Sequence, residues 1–390
     1  MLDTIWRILI ATSFSASLTY PISLPASPRI LSDSAPRTAL YVSTSGSDSN
    51  PGTQDLPFKT ILAASQAARA GTIVHVAPGI YNGGFTTTTS GTASTPILYV
   101  SDTKWGAKIV PATISDYDMA WDNRGAYVAI DGFEVDGTNY HSGTRWRLGI
   151  YSTGSYSVIE NNNVHDIAWN VPCSGQGGAG IEGDSYYGGI EIDLIGNIVH
   201  DIGPRSCIYI HGAYQTASGK VMNNLVYRVS GWGIHLWHDA SHVTIANNTI
   251  FNSANGGVLV GGGDYVTGSG PADYVTVANN IVFDNGQYGI VEAGQTGSHN
   301  LFTHNLSFQN GANWRLRTSA PDSAAVTADP KFVNYIRTGG GDYHLATGSP
   351  AIAAGTPSYA TQDLDGLPRP QGSGYAIGAY EFATLQKRAQ

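Results

Sequence analysis

An eight-residue pattern recurs along the chain: apolar, any, apolar, any, Asn or Gly, Asn, any, apolar. It reads VAIDGFEV at 128–135, SVIENNNV at 157–164, IDLIGNIV at 192–199 and KVMNNLVY at 220–227. It returns as VTIANNTI at 243–250, VTVANNIV at 275–282 and LFTHNLSF at 301–308. Alternating apolar positions predict short strands with one face buried. The second asparagine recurs at Asn162, Asn197, Asn224, Asn248, Asn280 and Asn305, with Phe133 in that column of the first copy. Successive asparagines lie 35, 27, 24, 32 and 25 residues apart. A constant minimum with occasional surplus predicts a solenoid in which some coils carry inserted loops.

A second column precedes each copy: GIYS at 149–152, GIEG at 180–183, CIYI at 207–210, GIHL at 233–236, GVLV at 257–260 and GIVE at 289–292. Each coil therefore holds at least two strands, with Ile and Val facing inward and stacking coil on coil. The asparagines fit an inward turn, where amides hydrogen-bond along the stack and satisfy buried polar groups. The residues after the inward Ile or Val point outward: Tyr151, Glu182, Tyr209, His235, Leu259 and Val291. Two further along come Thr153, Asp184, His211, Trp237, Gly261 and Ala293. Neighbouring coils lie about 4.8 Å apart. The middle coils thus present carboxylates, imidazoles and aromatic rings on one face, and the flanking coils are bland.

Composition agrees with an all-β chain. Of 390 residues 13% are charged and 48 are glycine, which favours turns over long surface helices. The net charge of −9 disfavours a nucleic-acid partner, although a local basic groove can still take an acidic polymer. An apolar run from Ile8 to Leu18 after Arg7 predicts a signal peptide and leader over 1–24, hence secretion. Nothing later reads as a membrane span. Residues 25–390 read as one domain, expected to act as a monomer: an N-terminal cap over about 40–81, coils over about 82–335 and a closing segment over about 336–382. In a secreted chain, Cys173 and Cys207 are candidates for one disulfide. Sequons at Asn247 and Asn305 are candidate glycosylation sites.

The repeats resemble the right-handed parallel β-helix, the fold of pectate lyases and many other polysaccharide-acting proteins. The likeness spans roughly residues 40 to 382. The opening YVSTSGSDSNPGTQDLPFKTILAASQAARAGTIVHVAPGIY at 41–81 is similar to the start of secreted β-helix proteins. Within it, PFKTILAASQAARAG predicts a capping helix ended by Gly71. DLDGLPRPQGSGYAIGAYEF at 363–382 resembles a closing segment of the same group. The Asp pairs of polygalacturonases and the Arg motif of the main pectate lyase group are not evident. LWHDASHVTIANNT has a short likeness to mannuronan epimerases and alginate-acting β-helices.

The resemblance implies a secreted enzyme that cleaves a uronate-containing glycan by β-elimination. A lyase must neutralise the uronate carboxylate, remove the C5 proton and expel the 4-oxygen. Glu182, His211, His235 and Arg205 are the candidate catalytic residues, with His211, His235 and Tyr209 as proton carriers, Glu182 among the possible oxygen ligands and Arg205 and Lys220 as cations. Tyr209, Trp237, Tyr151 and Lys220 are candidate substrate contacts. Asp184 and Asp193 are candidate calcium ligands. A glycoside hydrolase using Glu182 with Asp184 is the alternative, and a non-catalytic glycan-binding protein is a third. HLWHD lacks a third ligand at zinc spacing. The two VHDI segments, with His165-Asp166 and His200-Asp201, read as a repeated structural turn. Arg315 and Arg317 share one face of a late strand and fit either an acidic sugar or the protection of a sheet edge.

Overall fold

Three strands per coil build the solenoid, the two read from the sequence columns and one more. The computed structural model describes residues 37–383 apart from 113–117, 139–145, 176, 205–206, 323 and 358. The predicted leader and Arg205 lie outside the described residues. A first, ten-stranded parallel sheet runs from Thr38–Val42 to Leu301–Thr303. A second, nine-stranded sheet runs from Phe85–Thr87 to Ala312–Arg315, and a third, also of nine, from Gly79–Asn82 to Leu306–Phe308. The sequence columns belong to the first and second sheets. The third sheet begins directly after each asparagine pair, as in Asn163–Ile167 and Thr249–Ser253.

The two asparagines of each pair do different work. The first turns the chain with a left-handed backbone: φ is 56° at Asn161, Asn223, Asn247 and Asn279. Gly132 and Gly196 take that place in two coils, at 79° and 65°. Asn and Gly are the residues that tolerate this region at least cost. The second asparagine builds the predicted ladder. The side-chain amides of Asn162, Asn197, Asn224, Asn248 and Asn280 each donate to the carbonyl oxygen of the next, at 2.9 to 3.1 Å. Each also reaches a backbone carbonyl, for example Asn248 Nδ2 to Val221 O at 2.8 Å. The ladder opens at Phe133, whose N–H donates to Asn162 Oδ1.

That architecture corrects one expectation. Asn247 and Asn305 are fully buried, so neither sequon is accessible for a glycan in the folded chain. The VHDI turns are structural as expected: Asp166 and Asp201 sit at φ 56° and 57°, in a column continued by Arg228, Asn252 and Asp284.

The core is three stacked columns of apolar side chains, among them Ile159, Leu194, Val221, Ile245 and Val277 from the first sheet. The capping helix spans Ile61–Ala67, with the Thr60 side chain accepting from Ala63 N. It stops at Ala68, whose ψ of 154° is extended, and so ends before the expected Gly71. The closing segment does not plug the last coil. It folds back along the outside of the third sheet, where Tyr227, Phe251 and Phe283 face outward and need cover. Tyr343, Leu345, Ile377 and Ala379 supply it. Arg369 anchors the segment through a buried pair with Glu381 and a hydrogen bond to Asn223 Oδ1 at 3.1 Å. Among the described residues no helix is long and apolar enough to cross a membrane.

Candidate active site

The outward face of the second sheet carries a cleft of about 820 Å³. Its floor is set by register. Tyr151 pairs with Glu182, Glu182 with Tyr214, Tyr214 with His235, and His235 with Leu259. In the third of these coils the expected strand, CIYI, is not the one that joins the sheet. The strand is Ile210–Gln215, so Ala213 takes the inward place and Tyr214 the outward place expected for Tyr209.

The reason is steric. Gly180, Gly212 and Gly233 form one column, and a Cβ there would lie 2.4 Å from Val199, 2.5 Å from Val226 and 2.3 Å from Ile250. HGAY supplies the glycine this column demands, whereas CIYI would put a cysteine there. Tyr209 still lines the cleft, from the preceding loop, and His211 lines it from the column of Ala179 and Trp232.

Glu182, Asp184, Trp237 and His235 line the cleft as expected, joined by Arg147, Tyr214, Trp232, His238 and Asp264. Tyr151 acts through its neighbour: its hydroxyl donates to Asp184 Oδ2 at 2.6 Å. Asp184 Oδ1 accepts from Thr216 Oγ1 at 2.6 Å and from Tyr186 N at 3.1 Å. Lys220 and Asp193 are elsewhere. They lie on the first sheet, paired at 3.6 Å, because both precede the asparagine turn rather than follow the glycine column. Cys173 and Cys207 are bonded, with Cα atoms 5.5 Å apart. That bond holds together the loops that bring Gly175, Gly177, Ile208 and Tyr209 to the cleft wall.

Electrostatics separate two kinds of group. Burial, with the nearby Asp184 charge, pushes the Glu182 carboxyl well above its ordinary pKa against the opposing pull of Arg147. No described residue donates a hydrogen bond to it. Burial drives His211 down to about 3, and burial with its two histidine neighbours drives His235 well below the usual imidazole value. Both rings are therefore neutral at pH 7. His235 Nδ1 and His211 Nε2 are 2.9 Å apart, so one donates and the other accepts. Tyr214 stacks on His235 at 5.2 Å, and Trp237 lies 5.7 Å from it. His238 hydrogen-bonds Asp264 on the cleft's far side. A carboxyl whose pKa burial raises and a neutral imidazole thus project from one outward column into an aromatic-walled groove.

The comparisons with known proteins agree with this architecture. A family model described as "Pel9A-like, right handed beta helix region" matches residues 40–193, and one described as "Right handed beta helix region" matches residues 120–313. The crystal structure of pectate lyase Pel9A covers 90% of this chain and 97% of its own at a TM-score of 0.63 and 18% identity. The chain has the right-handed parallel β-helix fold, the fold it shares with pectate lyase Pel9A. The uncharacterized protein YwoF of Bacillus subtilis (strain 168) is 31% identical over 134 residues, which cover 33% of this chain and 29% of that protein.

Calcium in a β-helix of this kind would need a cage of six to eight oxygens. The described residues of the cleft do not offer one. Asp184 already accepts from three donors, and Asp193 lies on another sheet. Among the described residues, Glu134, Asp136 and His165 are the side chains that converge closely enough to ligate an ion. They sit on the third sheet with the Lys108 ammonium 3.1 Å from Glu134 and 3.4 Å from Asp136. That donor set, with an ammonium already against its carboxylates, does not fit calcium.

Arg147, Tyr214 and Trp232 escaped the sequence reading. Tyr214 follows from the glycine column once HGAY replaces CIYI, and Trp232 stands directly before the glycine of GIHL. Arg147, one residue before its strand, carries no periodic signal.

Proposed function

We propose that this protein is a secreted polysaccharide lyase that cleaves a uronate-containing glycan by β-elimination. The observation that carries the reading is the placement of a neutral imidazole, His235, and a carboxyl whose pKa burial raises, Glu182, on one outward column. They stand two coils apart, about 10 Å between Cα atoms, so their side chains lean onto one bound sugar from either side. In the tautomer in which His235 Nδ1–H donates to His211 Nε2, His235 Nε2 keeps its lone pair for the substrate.

The reaction then runs as follows. Arg147, beside Glu182, faces the uronate carboxylate and stabilises the negative charge that builds on it. His235 Nε2 takes the C5 proton. The released electron pair forms the C4–C5 double bond as the C4–O bond breaks. Glu182 gives its proton to the departing oxygen. The imidazolium and carboxylate left behind return to their starting states by proton exchange through water. Trp232, Trp237 and Tyr209 offer flat apolar faces to neighbouring sugar rings. The Cys173–Cys207 bond supports an oxidising, extracellular setting.

The test is incubation with polygalacturonate, alginate and glucuronan, with and without calcium, while ultraviolet absorbance of the unsaturated product is followed. Expected is a rise with at least one polymer, lowered about 10²-fold or more in His235→Ala and Glu182→Gln. No rise with any of them refutes the lyase reading. Hydrolysis is the second reading, favoured by Glu182, whose pKa burial raises, standing beside Asp184, an acceptor for three donors. It predicts new reducing ends without the absorbance.

A further inference from the structure

The outward column that carries Glu182, Tyr214 and His235 does not end at the cleft. It continues through Leu259 and Val291 to Arg315, each in register with the one before. Arg317 follows two residues later. A second, smaller cavity of about 110 Å³ opens here, and Trp232, Leu259 and Ala293 line both it and the main cleft. We infer that these last coils form a separate subsite for an anionic sugar residue, bound by Arg315 and Arg317 over an aromatic and aliphatic floor. The inference rests on the polysaccharide-acting reading of the main cleft.

Three features of the patch point to a ligand. Leu259 and Val291 face outward yet are nearly buried, because the Trp232 and Tyr288 rings close over them. Those two rings lie almost parallel, at 7° with centroids 6.1 Å apart, and line the smaller cavity together with Leu259 and Val291. The Arg315 guanidinium lies 5.5 Å from the Tyr288 ring and donates to its hydroxyl at 3.0 Å, which fixes it beside that ring.

The charge is also unspent. Arg124, Arg147, Arg228, Arg337 and Arg369 each have a carboxylate partner. No described carboxylate pairs with the side chain of Arg315 or Arg317. Glu292 lies within the patch, but its oxygens accept from the N–H groups of Arg317, Thr318 and Ser319 and from Ser319 Oγ. Burial alone would raise the Glu292 pKa, and those hydrogen bonds outweigh it and hold the carboxyl below its ordinary value. Glu292 thus pins the segment that carries Arg317 instead of neutralising it.

Position sets the consequence. Arg315 is three coils beyond His235, about 14 Å along the axis. An anion held there belongs to a sugar a few rings removed from the bond being cleaved. The subsite therefore selects for charge and for chain length without touching the reacting atoms. A mere edge-protecting role for the two arginines predicts no such selection.

The test uses the full chain in affinity electrophoresis through gels holding polygalacturonate, alginate or glucuronan, with highly methyl-esterified pectin as the uncharged comparison. Expected is retardation of the wild type by at least one anionic polymer. Arg315→Gln/Arg317→Gln should weaken that affinity about tenfold, flatten its salt dependence and leave migration in methyl-esterified pectin unchanged. If the polymer is turned over, KM rises with kcat unchanged, and a trisaccharide substrate is unaffected. Equal retardation of the wild type and the double variant overturns the subsite, as does a wild type retarded by none of the three. Because binding is read without catalysis, arginine-dependent retardation with no turnover sinks the lyase reading alone.

Discussion

Replacing Asn248 by Ala tests whether the asparagine ladder bears the load assigned to it. Its side chain is fully buried. Its Oδ1 accepts from Asn224 N at 2.9 Å and from Asn224 Nδ2 at 3.0 Å. Its Nδ2 donates to Val221 O at 2.8 Å and to Asn280 Oδ1 at 2.9 Å. Alanine strips all four bonds. Asn224 Nδ2 keeps Leu194 O, and Asn280 Oδ1 keeps the backbone N–H of residue 248. The Asn224 N–H loses the acceptor the ladder gave it, in a dry interior. One orphaned donor costs about 1–3 kcal/mol, and the weakened bonds around it bring the expected loss to about 2–4 kcal/mol. A water filling the vacated space would set the lower end. Asn248→Asp should cost more, because it removes both donors and buries a carboxyl group among acceptors. Equilibrium urea unfolding, shown to be reversible and a single transition, measures both at a common slope. A loss under about 0.5 kcal/mol for Asn248→Ala, or an aspartate variant more stable than the alanine one, would refute the reasoning.

Further consequences can be checked on the same protein. Gly233→Ala places a Cβ 2.3 Å from Ile250 Cγ2 and 2.9 Å from Gly257 O, so urea unfolding should show a loss of about 1–3 kcal/mol. Cys173→Ser removes a bridge across a separation of 34 residues and should cost about 3–4 kcal/mol. It should also raise KM, since the bridged loops bear Ile208 and Tyr209. His211 is held neutral, down to about 3, so the unfolded chain binds the extra proton as pH falls below the ordinary imidazole value. Its contribution is therefore present above about pH 6.5 and lost between there and about 3. A His211→Leu variant should lose less stability than the wild type across that window, and a parallel pH dependence would contradict the assignment. Glu182 has its pKa raised, so kcat should fall as pH climbs through the folded-state value and the acid loses its proton. A flat alkaline limb would remove Glu182 from the acid's role.

Much of the fold was legible in the chain. VTIANNTI and its six relatives carried strand, turn and ladder together, because a solenoid repeats the same local problem at every coil. The inward Ile and Val columns and the buried Asn248 rung follow directly from period-2 alternation and the cost of an unpaired amide. What escaped was the third sheet, whose strands such as Asn163–Ile167 follow the asparagine turn with no gap to announce them. The candidate site was legible in composition and partly wrong in register. CIYI resembles the neighbouring strands in hydropathy, yet the packing of Gly212 against Val226 selects HGAY. A tight glycine contact is a property of two coils, and no single segment displays it.

The chain alone therefore determined a β-solenoid with a polar, aromatic face on its middle coils, since alternation and turn chemistry are local. Tertiary structure decided which residues share that face. It moved Lys220 and Asp193 to another sheet, buried Asn247 and Asn305, and turned Tyr151 into a support for Asp184. It also decided protonation. Glu182 and His235 depart from their ordinary values because stacked coils exclude water from both, and that exclusion has no signature in the sequence of either strand.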